Sequence, residues 1–183
     1  MYQVTFISAK KTWVYDTTTG LWHERMYTEP SYSKSVEHLA KYCVKYRQKF
    51  IVADSRSSKL YFMGNEYFDD NDVYIRRIRT TPILNDEFKL VGIDCLELRM
   101  TSGTALSTGQ GSNPIVSLRY SNNGGHTWSN YIERSAGSVG EYAKRIQWNR
   151  LGVASEWIIE ISFSEPIDFS LISASAAISE SEI

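Results

Sequence analysis

The stretch that decides the fold is Pro114–Ile132, PIVSLRYSNNGGHTWSNYI. Its first part, Pro114–Ser121, combines β-branched and aromatic residues in the alternation of a strand. The following Asn-Asn-Gly-Gly run is turn chemistry, because Asn and Gly tolerate positive φ. His126–Ile132 then returns to strand composition. The stretch therefore predicts an antiparallel hairpin.

Further strands are predicted on both sides of this hairpin at a spacing of about ten residues, which is typical of a compact β-sandwich. Thr101–Asn113 is a Ser/Gly/Thr loop, and Thr81–Pro82 is the predicted boundary, which gives a sandwich-like domain over 81–183. The last residues, Ser179–Ile183, are expected to fray. The other predicted strands are Leu90–Met100, Arg145–Trp148, Trp157–Phe163 and Leu171–Ile178.

Residues 1–80 carry two similar hairpin patterns. In each pattern a strand ends in an aspartate, Asp16 or Asp54, and a four-residue turn and a second strand follow. The 38-residue offset between the aspartates is close to the ~40–50 residues of a propeller blade. We therefore expect incomplete propeller-type blades here, either a piece of a longer chain or strands completed by a neighbouring subunit. The pattern of Ser33–Val44 allows a helical turn or two.

The fold class predicted from these patterns is all-β, with partial propeller-like blades followed by a β-sandwich-like C-terminal domain. Composition agrees, since the 183 residues include 12 Tyr, seven Phe and five Trp, which favour strands. No apolar run reaches the ~18 residues of a membrane span, and the first residues do not resemble a signal peptide. Two cysteines cannot form a disulfide scaffold.

Charge is unevenly distributed although the net charge is −1. Residues 41–79 hold nine Lys/Arg and five Asp/Glu, whereas residues 154–183 hold six acidic residues and no Lys or Arg. Two explanations fit this asymmetry. The charges can simply be solvated on two different surfaces of the protein, or they can attract neighbouring copies to one another. Arg76 and Arg77 are the candidate intersubunit contacts on the basic side.

Chemical motifs are absent from the sequence. The three histidines lie far apart without metal-ligand spacing, and Asp69–Asp72 lacks the glycine and distal glutamate of an EF-hand. There is no phosphate loop and no nucleophile elbow. We therefore expect no catalytic residue, no cofactor, no metal and no enzyme activity. The near-neutral charge also argues against direct, sequence-specific nucleic-acid binding.

The turn Ser121-Asn122-Asn123-Gly124-Gly125-His126-Thr127-Trp128 resembles the Asp-box, S-x-D-x-G-x-x-W, of sialidases and other β proteins. Asn123 stands where aspartate is usual, and it can still accept turn N–H groups. The predicted roles are structural: Ser121 and Asn123 hold the turn, Gly125 takes a positive φ, and Trp128 fills the core.

The order of segments resembles one family over nearly the whole chain: the packaged-DNA stabilisation proteins, or tail hubs, of short-tailed bacteriophages, in their C-terminal part. The matching segments include Tyr15–Arg25, Phe50–Tyr61, Thr80–Ile83, Leu96–Met100, Gly109–Pro114, Leu118–Ser129 and Gly140–Gly152, with Ile172–Ile178 as a closing strand.

The resemblance implies a structural virion protein of the tail, assembled in the bacterial host cytoplasm and present as a homo-oligomer, a hexamer in the virion. It would help to seal the portal channel and retain packaged DNA. The implied partners are the portal–adaptor, the tailspike and the tail needle, with no membrane involved. The alternative is a carbohydrate-binding β module of a tail or surface protein, which would use exposed Trp and Tyr as sugar platforms.

Overall fold

The computed structural model describes residues 1–31, 35–87 and 89–181. Every regular element in these ranges is a β-strand, which confirms the all-β prediction. The chain forms two compact units, unit 1 over Met1–Ile75 and unit 2 over Arg76–Ile183. The division lies five residues before the expected boundary at Thr81, because the strand that follows Ile75 pairs within unit 2.

Within residues 1–31 and 35–75, unit 1 forms three antiparallel sheets, ordered β1-β2-β3-β4, β5-β6-β7 and β8-β9. The helical turns allowed over Ser33–Val44 are wrong for the described residues, which form β4 and β5; Ser33 and Lys34 lie outside the described part. Val36, Tyr42 and Val44 favour a strand, and pairing with β3 and β6 supplies the backbone hydrogen bonds. The strands are β1 Tyr2–Phe6, β2 Lys11–Asp16, β3 Leu21–Thr28, β4 Ser35–Glu37, β5 Ala40–Tyr46, β6 Lys49–Asp54, β7 Leu60–Met63, β8 Asp69–Asp70 and β9 Val73–Tyr74.

The two predicted hairpins of unit 1 share one register. Thr12 faces Arg25 in the β2–β3 pair, and Phe50 faces Met63 in the β6–β7 pair, 38 residues later at both positions. Each aspartate caps its turn: Asp16 accepts the N–H of Thr18 at 2.9 Å, and Asp54 accepts that of Arg56 at 2.8 Å. The 38-residue repeat of the sequence is therefore also a repeat of the strand register.

The described part of unit 2, residues 76–87 and 89–181, forms two antiparallel sheets, ordered β10-β15-β12-β13 and β14-β11-β16. Their apolar faces form one core that includes Leu98, Val116, Leu118, Trp148 and Phe163, each at most 1% exposed. The alternation predicted for these strands places those side chains inward. The strands are β10 Arg77–Thr80, β11 Leu90–Met100, β12 Ile115–Ser121, β13 Ile132–Ser135, β14 Ile146–Ala154, β15 Ile158–Phe163 and β16 Leu171–Ser181.

Several predicted boundaries differ from the structure, and the strand predicted over Arg145–Trp148 continues to Ala154 as β14. The second hairpin strand begins at Ile132 rather than His126. Before it the chain leaves the ladder, because the Ser129 hydroxyl accepts the N–H of Tyr120 while the Ser129 N–H binds the Tyr120 carbonyl. Residues 73–80 contain two short strands, β9 and β10, which belong to different units. The expected fraying from Ser179 is wrong as far as Ser181, because β16 pairs with β11 to that residue.

Candidate interaction site

The turn after β12 is held by the side chains that the Asp-box resemblance singled out. Ser121 is buried, and its Oγ accepts the N–H of Gly125 at 2.9 Å. Asn123 Oδ1 accepts the N–H of Thr127 at 2.9 Å, and its Nδ2 donates to Thr127 Oγ1 at 2.8 Å. Gly125 has a φ of 95°, a conformation that strains any residue with a Cβ. One buried hydroxyl and one amide thus organise the whole turn.

Trp128 does not fill the core as expected. It is half-buried, and the Arg119 guanidinium lies over its ring at 4.6 Å from the centroid. The buried tryptophans of unit 2 are Trp148 and Trp157, whose indole N–H groups donate to the carbonyls of Ile132 and Val91. Trp128 is displaced because the chain leaves the ladder before Ile132, so its side chain reaches the outer face of the sheet.

The outer face of sheet β10-β15-β12-β13 carries an arginine–carboxylate network. Glu160 on β15 is 6% exposed, although it points away from the core. Arg119 on the neighbouring β12 donates to both of its oxygens, at 2.8 and 2.9 Å. The Tyr131 hydroxyl donates to Oε1 at 2.9 Å. A carboxylate that would be exposed on a bare sheet is therefore covered and fully paired.

Arg76 closes this network on the other side. Its Nε donates to Ser162 Oγ at 2.9 Å, its terminal nitrogen donates to the Tyr131 hydroxyl, and its guanidinium lies 5.5 Å from the Tyr131 ring centroid. Burial and the hydrogen bond to Glu160 raise the pKa of Tyr131, while the same carboxylate raises the pKa of Arg119. Tyr131 therefore stays a neutral phenol, and Arg119 stays a cation, throughout the physiological pH range.

Arg77, the second candidate contact, is also engaged inside unit 2. Its Nη1 donates to the carbonyls of Glu165 and Ile167 at 3.4 Å each, and its guanidinium lies 5.9 Å from the Phe163 ring centroid. Burial lowers its pKa, and Asp168 opposes that effect. Arg76 and Arg77 thus satisfy acceptors of the acidic 154–183 segment of their own chain, before any neighbouring copy is considered.

The sequence did not single out Arg119, Tyr131 and Glu160 as one group. A signal was present, because Glu160 interrupts the apolar run WIIEISF of the predicted strand. An acidic residue in such a run needs a cationic partner. Which of the nearby arginines supplies it depends on the register of β12 against β15, where Arg119 faces Glu160. That register cannot be read from one strand alone.

Unit 1 presents an uncovered apolar sheet face, which we call the β5–β7 face. It consists of cross-strand rows in which Tyr42 lies beside Ala53 and Leu60, and Val44 beside Ile51 and Phe62. Tyr42 and Leu60 are 69% and 70% exposed. Beside this face, Lys49 Nζ lies 4.7 Å from the ring centroid of Phe62. An aromatic and aliphatic face rimmed by cations is typical of an interaction surface.

A partly buried polar cluster of unit 1 joins Arg25, His38 and Asp70, of which His38 is the buried member. His38 Nε2 lies 3.9 Å from Asp70 Oδ2, and His38 Nδ1 accepts the N–H of Ala40 at 3.2 Å. Burial and the Arg25 charge lower the pKa of His38 to about 4. Burial raises the pKa of Asp70 to about 6, against the opposing charge of Arg25. The histidine is therefore neutral at pH 7 and serves as a backbone acceptor.

A cavity of about 570 Å³ lies in the same unit. Tyr27, Asp54, Arg56, Tyr61 and Asn71 are among its lining residues. The Tyr61 hydroxyl contacts Asn71 Oδ1 at 3.1 Å, and Arg56 lies 3.5 Å from Glu37. Aromatic rings beside amide and charged groups can hold a polar organic molecule.

Within residues 1–31, 35–87 and 89–181, no three His, Cys, Asp or Glu side chains converge to hold a metal ion. The same part of the chain has no helix of the length and apolarity needed to cross a membrane.

A family model matches the chain over residues 76–178, which is nearly all of unit 2. Its description is bacteriophage P22 Gp10, β-sandwich. The chain belongs to this family. Membership confirms the sandwich predicted for the C-terminal domain, and the match begins where unit 2 begins. A search of curated proteins found no relative.

The P22 Gp10 family identifies the chain as a structural protein of a bacteriophage tail, and so as a virion component that contacts other tail proteins. The Arg119–Glu160 network, the turn after β12 and the 76–178 core all lie in the matched part. Unit 1, with its 38-residue repeat and the β5–β7 face, lies outside it.

Proposed function

We propose that the protein is a tail-hub subunit that helps to seal the portal channel and retain packaged DNA in a short-tailed phage. Several copies, six in the virion, would surround the tail axis below the portal–adaptor. They would offer docking surfaces to the tailspike and the tail needle. In this proposal the protein has no catalytic role, and it is assembled into the tail in the host cytoplasm.

The observation that carries the proposal is the β5–β7 face of unit 1, added to the family membership of unit 2. Tyr42, Val44, Leu60 and Phe62 are each more than half exposed, and the registers place them in adjacent rows on one side of the sheet. Burying such side chains contributes about 1.5–3 kcal/mol each. A subunit that is assembled gains this stabilisation, whereas one that acts alone does not.

The 38-residue repeat supports the assignment of unit 1 as propeller-type blades, because β1-β2-β3 and β5-β6-β7 are meanders with the same β-hairpin register. In propellers each blade covers the face of its neighbour. The β5–β7 face would be covered in this way by another sheet in the assembled tail.

The proposal keeps charge attraction between neighbouring copies, but it no longer assigns this role to Arg76 and Arg77. Arg76 and Arg77 already bind acceptors of their own 154–183 segment. Other cations available to act between copies include Lys41, Arg47 and Lys49 near the β5–β7 face, all of which are exposed. Association with other tail proteins should therefore weaken as salt rises.

The test is to mix the protein with the matching portal–adaptor assembly and to measure co-migration and particle shape. We expect the wild type to co-migrate and a Leu60→Ser/Phe62→Ser double variant to bind at least tenfold more weakly. Ser107→Lys, an exposed loop change in unit 2, is the control and should bind like the wild type. Absence of wild-type binding at saturating assembly would overturn the proposal.

The second candidate function is a carbohydrate-binding module, which the cavity beside Tyr27 and Tyr61 favours. A glycan array distinguishes the two functions. A hub joins the portal–adaptor assembly without binding sugar, whereas a carbohydrate module binds a glycan and loses it when Tyr61→Ala removes the ring.

A further inference from the structure

Strand β16 at the end of unit 2 forms an unprotected sheet edge. It runs over Leu171–Ser181 and pairs with β11 on one side, while its other side has no partner in the described part of the chain. From Ile172 to Glu180 every residue is exposed. Such an edge presents a row of free N–H and C=O groups, which readily pairs with another strand.

The other edges of unit 2 are protected in recognised ways. β10 has four residues and carries Arg77 and Arg79, and β13 also has only four residues. β14 is longer but is bent by Arg150 and Gly152, whose φ angles are 58° and 111°. Short length, charge and local distortion all hinder edge pairing. β16 has no Lys, Arg or Pro along its eleven residues.

The sequence of β16 is nearly palindromic. Ile172-Ser-Ala-Ser175-Ala-Ala-Ile178 reads almost the same in both directions from Ser175. Two antiparallel copies centred on Ser175 would place Ile172 beside Ile178, and Ala174 beside Ala176. Between the irregularities at Met100 and Cys95 of β11, residues 173–177 of β16 form a regular ladder. The small side chains of this segment allow a second strand to approach closely.

The inner face of β16 also lacks cover. Ala174, Ala176 and Ile178 face the same side as the core residues Leu98, Leu96 and Ile93 of β11. Ile178 is nevertheless 59% exposed and Ile172 is 66% exposed, because the opposite sheet does not extend over the strand. A second β16 would cover these isoleucines with one another and would satisfy the free backbone groups.

We propose that two copies of the protein associate through antiparallel pairing of their β16 strands about a two-fold axis at Ser175. The resulting sheet has the order β14-β11-β16-β16-β11-β14. Such an isologous contact uses the same patch on both copies and closes after two. It is separate from contacts that would build a ring around the tail axis, and it does not rest on the proposed function.

The test uses charges placed at the symmetry axis. Ser175→Lys puts two lysines directly opposite each other in the pair, and like charges at that position destabilise cross-strand pairing. Sedimentation velocity is expected to show a wild-type dimer, and about tenfold weaker self-association for Ser175→Lys and for Ser175→Glu. Mixing the two variants, one of them ¹⁵N-labelled, should restore a one-to-one dimer by native mass spectrometry. Ser107→Lys, an exposed loop change, is the matched control and should dimerise like the wild type.

Hydrogen exchange of the wild type is a second measurement, and its result does not depend on whether the variants fold. Wild-type amides of β16 should become more protected as protein concentration rises, while those of β14 should not change. The proposal is overturned if the wild type is monomeric at all concentrations, or if mixing the Lys and Glu variants fails to restore pairing. It is also overturned if Ser175→Lys leaves association intact while Phe62→Ser abolishes it, because the contact would then be the β5–β7 face.

Discussion

Replacement of Arg119 by methionine tests whether the outer face of unit 2 depends on its arginine–carboxylate network. Glu160 has a side chain that is only 8% exposed, and it accepts three hydrogen bonds, two from Arg119 and one from Tyr131. Arg119→Met keeps an aliphatic chain under Trp128 but removes two of the three donors. The carboxylate is then left almost buried with one neutral donor.

The size of the effect follows from this burial. Breaking a buried ion pair by removing one partner costs about 3–5 kcal/mol. Arg119 is itself 30% exposed, so water can reach part of the space that it leaves, and the lower end of that range applies. With an m-value of about 1.5 kcal/mol per molar urea, a loss of about 3 kcal/mol lowers the urea midpoint by about 2 M. Arg119→Met/Glu160→Met, which removes both charges, should recover at least about half of the loss.

The assay is urea unfolding followed by pulsed hydrogen exchange and mass spectrometry, which reports on unit 2 separately from unit 1. Arg145→Met is the matched control, because Arg145 also binds a glutamate, Glu97, but is 71% exposed. Its midpoint should stay close to that of the wild type. The reasoning is refuted if the Arg119 and Arg145 variants unfold at the same midpoint, or if the double variant loses the sum of both single losses.

Three further outcomes are expected. Asn123→Ala removes the acceptor of the Thr127 N–H and should lower the unfolding free energy of unit 2 by about 1–2 kcal/mol. Asn123→Asp keeps an acceptor and should lose less than about half of that amount, so equal losses in the two variants would contradict the role of this hydrogen bond. Because the pKa of His38 is lowered to about 4, protonation favours the unfolded chain and unit 1 loses stability as pH falls from 6.5 towards 4; the raised pKa of Asp70, about 6, acts in the opposite direction. Asp70→Asn should therefore steepen the acid loss and His38→Gln should remove it, measured by urea midpoints at about pH 7 and about pH 5, and parallel pH profiles for the two variants would disprove the assignment. Leu60→Ser should reduce binding of a hydrophobic dye while changing unit 1 stability by less than about 0.5 kcal/mol, since the side chain is 70% exposed, and a large destabilisation would mean that the β5–β7 face is covered in the free protein.

The strands of unit 2 could be predicted well because their signals are local. Leu90–Met100 alternates apolar and polar residues near its end and forms β11 with the predicted bounds. The sandwich class followed from several such strands and is confirmed by the family match. In the same way, Asp16 and Asp54 identified two turns from chemistry that lies within four residues.

What the sequence could not provide depends on pairing between distant segments. The core position of Trp128 was predicted from the Asp-box resemblance of its turn. In the structure the chain leaves the ladder beside Trp128, because Ser129 binds Tyr120. Arg76 and Arg77 were predicted to act between copies, because the sequence near them does not show which acceptors they bind within their own chain. Their acceptors lie between 55 and 90 residues away along the chain.

This distance also determines when unit 2 can fold during synthesis. β10 is the first strand of unit 2, but it pairs with β15, so Arg77 cannot pair until Phe163 has been synthesised. In the same way, β11 cannot complete its pairing until β16 has been synthesised. Closing a loop of this length costs entropy before any contact stabilises it, and folding dominated by distant strand pairs is slow. The hairpins of unit 1, in contrast, pair within about 14 residues and can form as the chain leaves the ribosome. We therefore expect a nascent chain that stops before β15 to carry the folded hairpins of unit 1 and to expose the apolar side chains of β11 and β12 to chaperones and proteases.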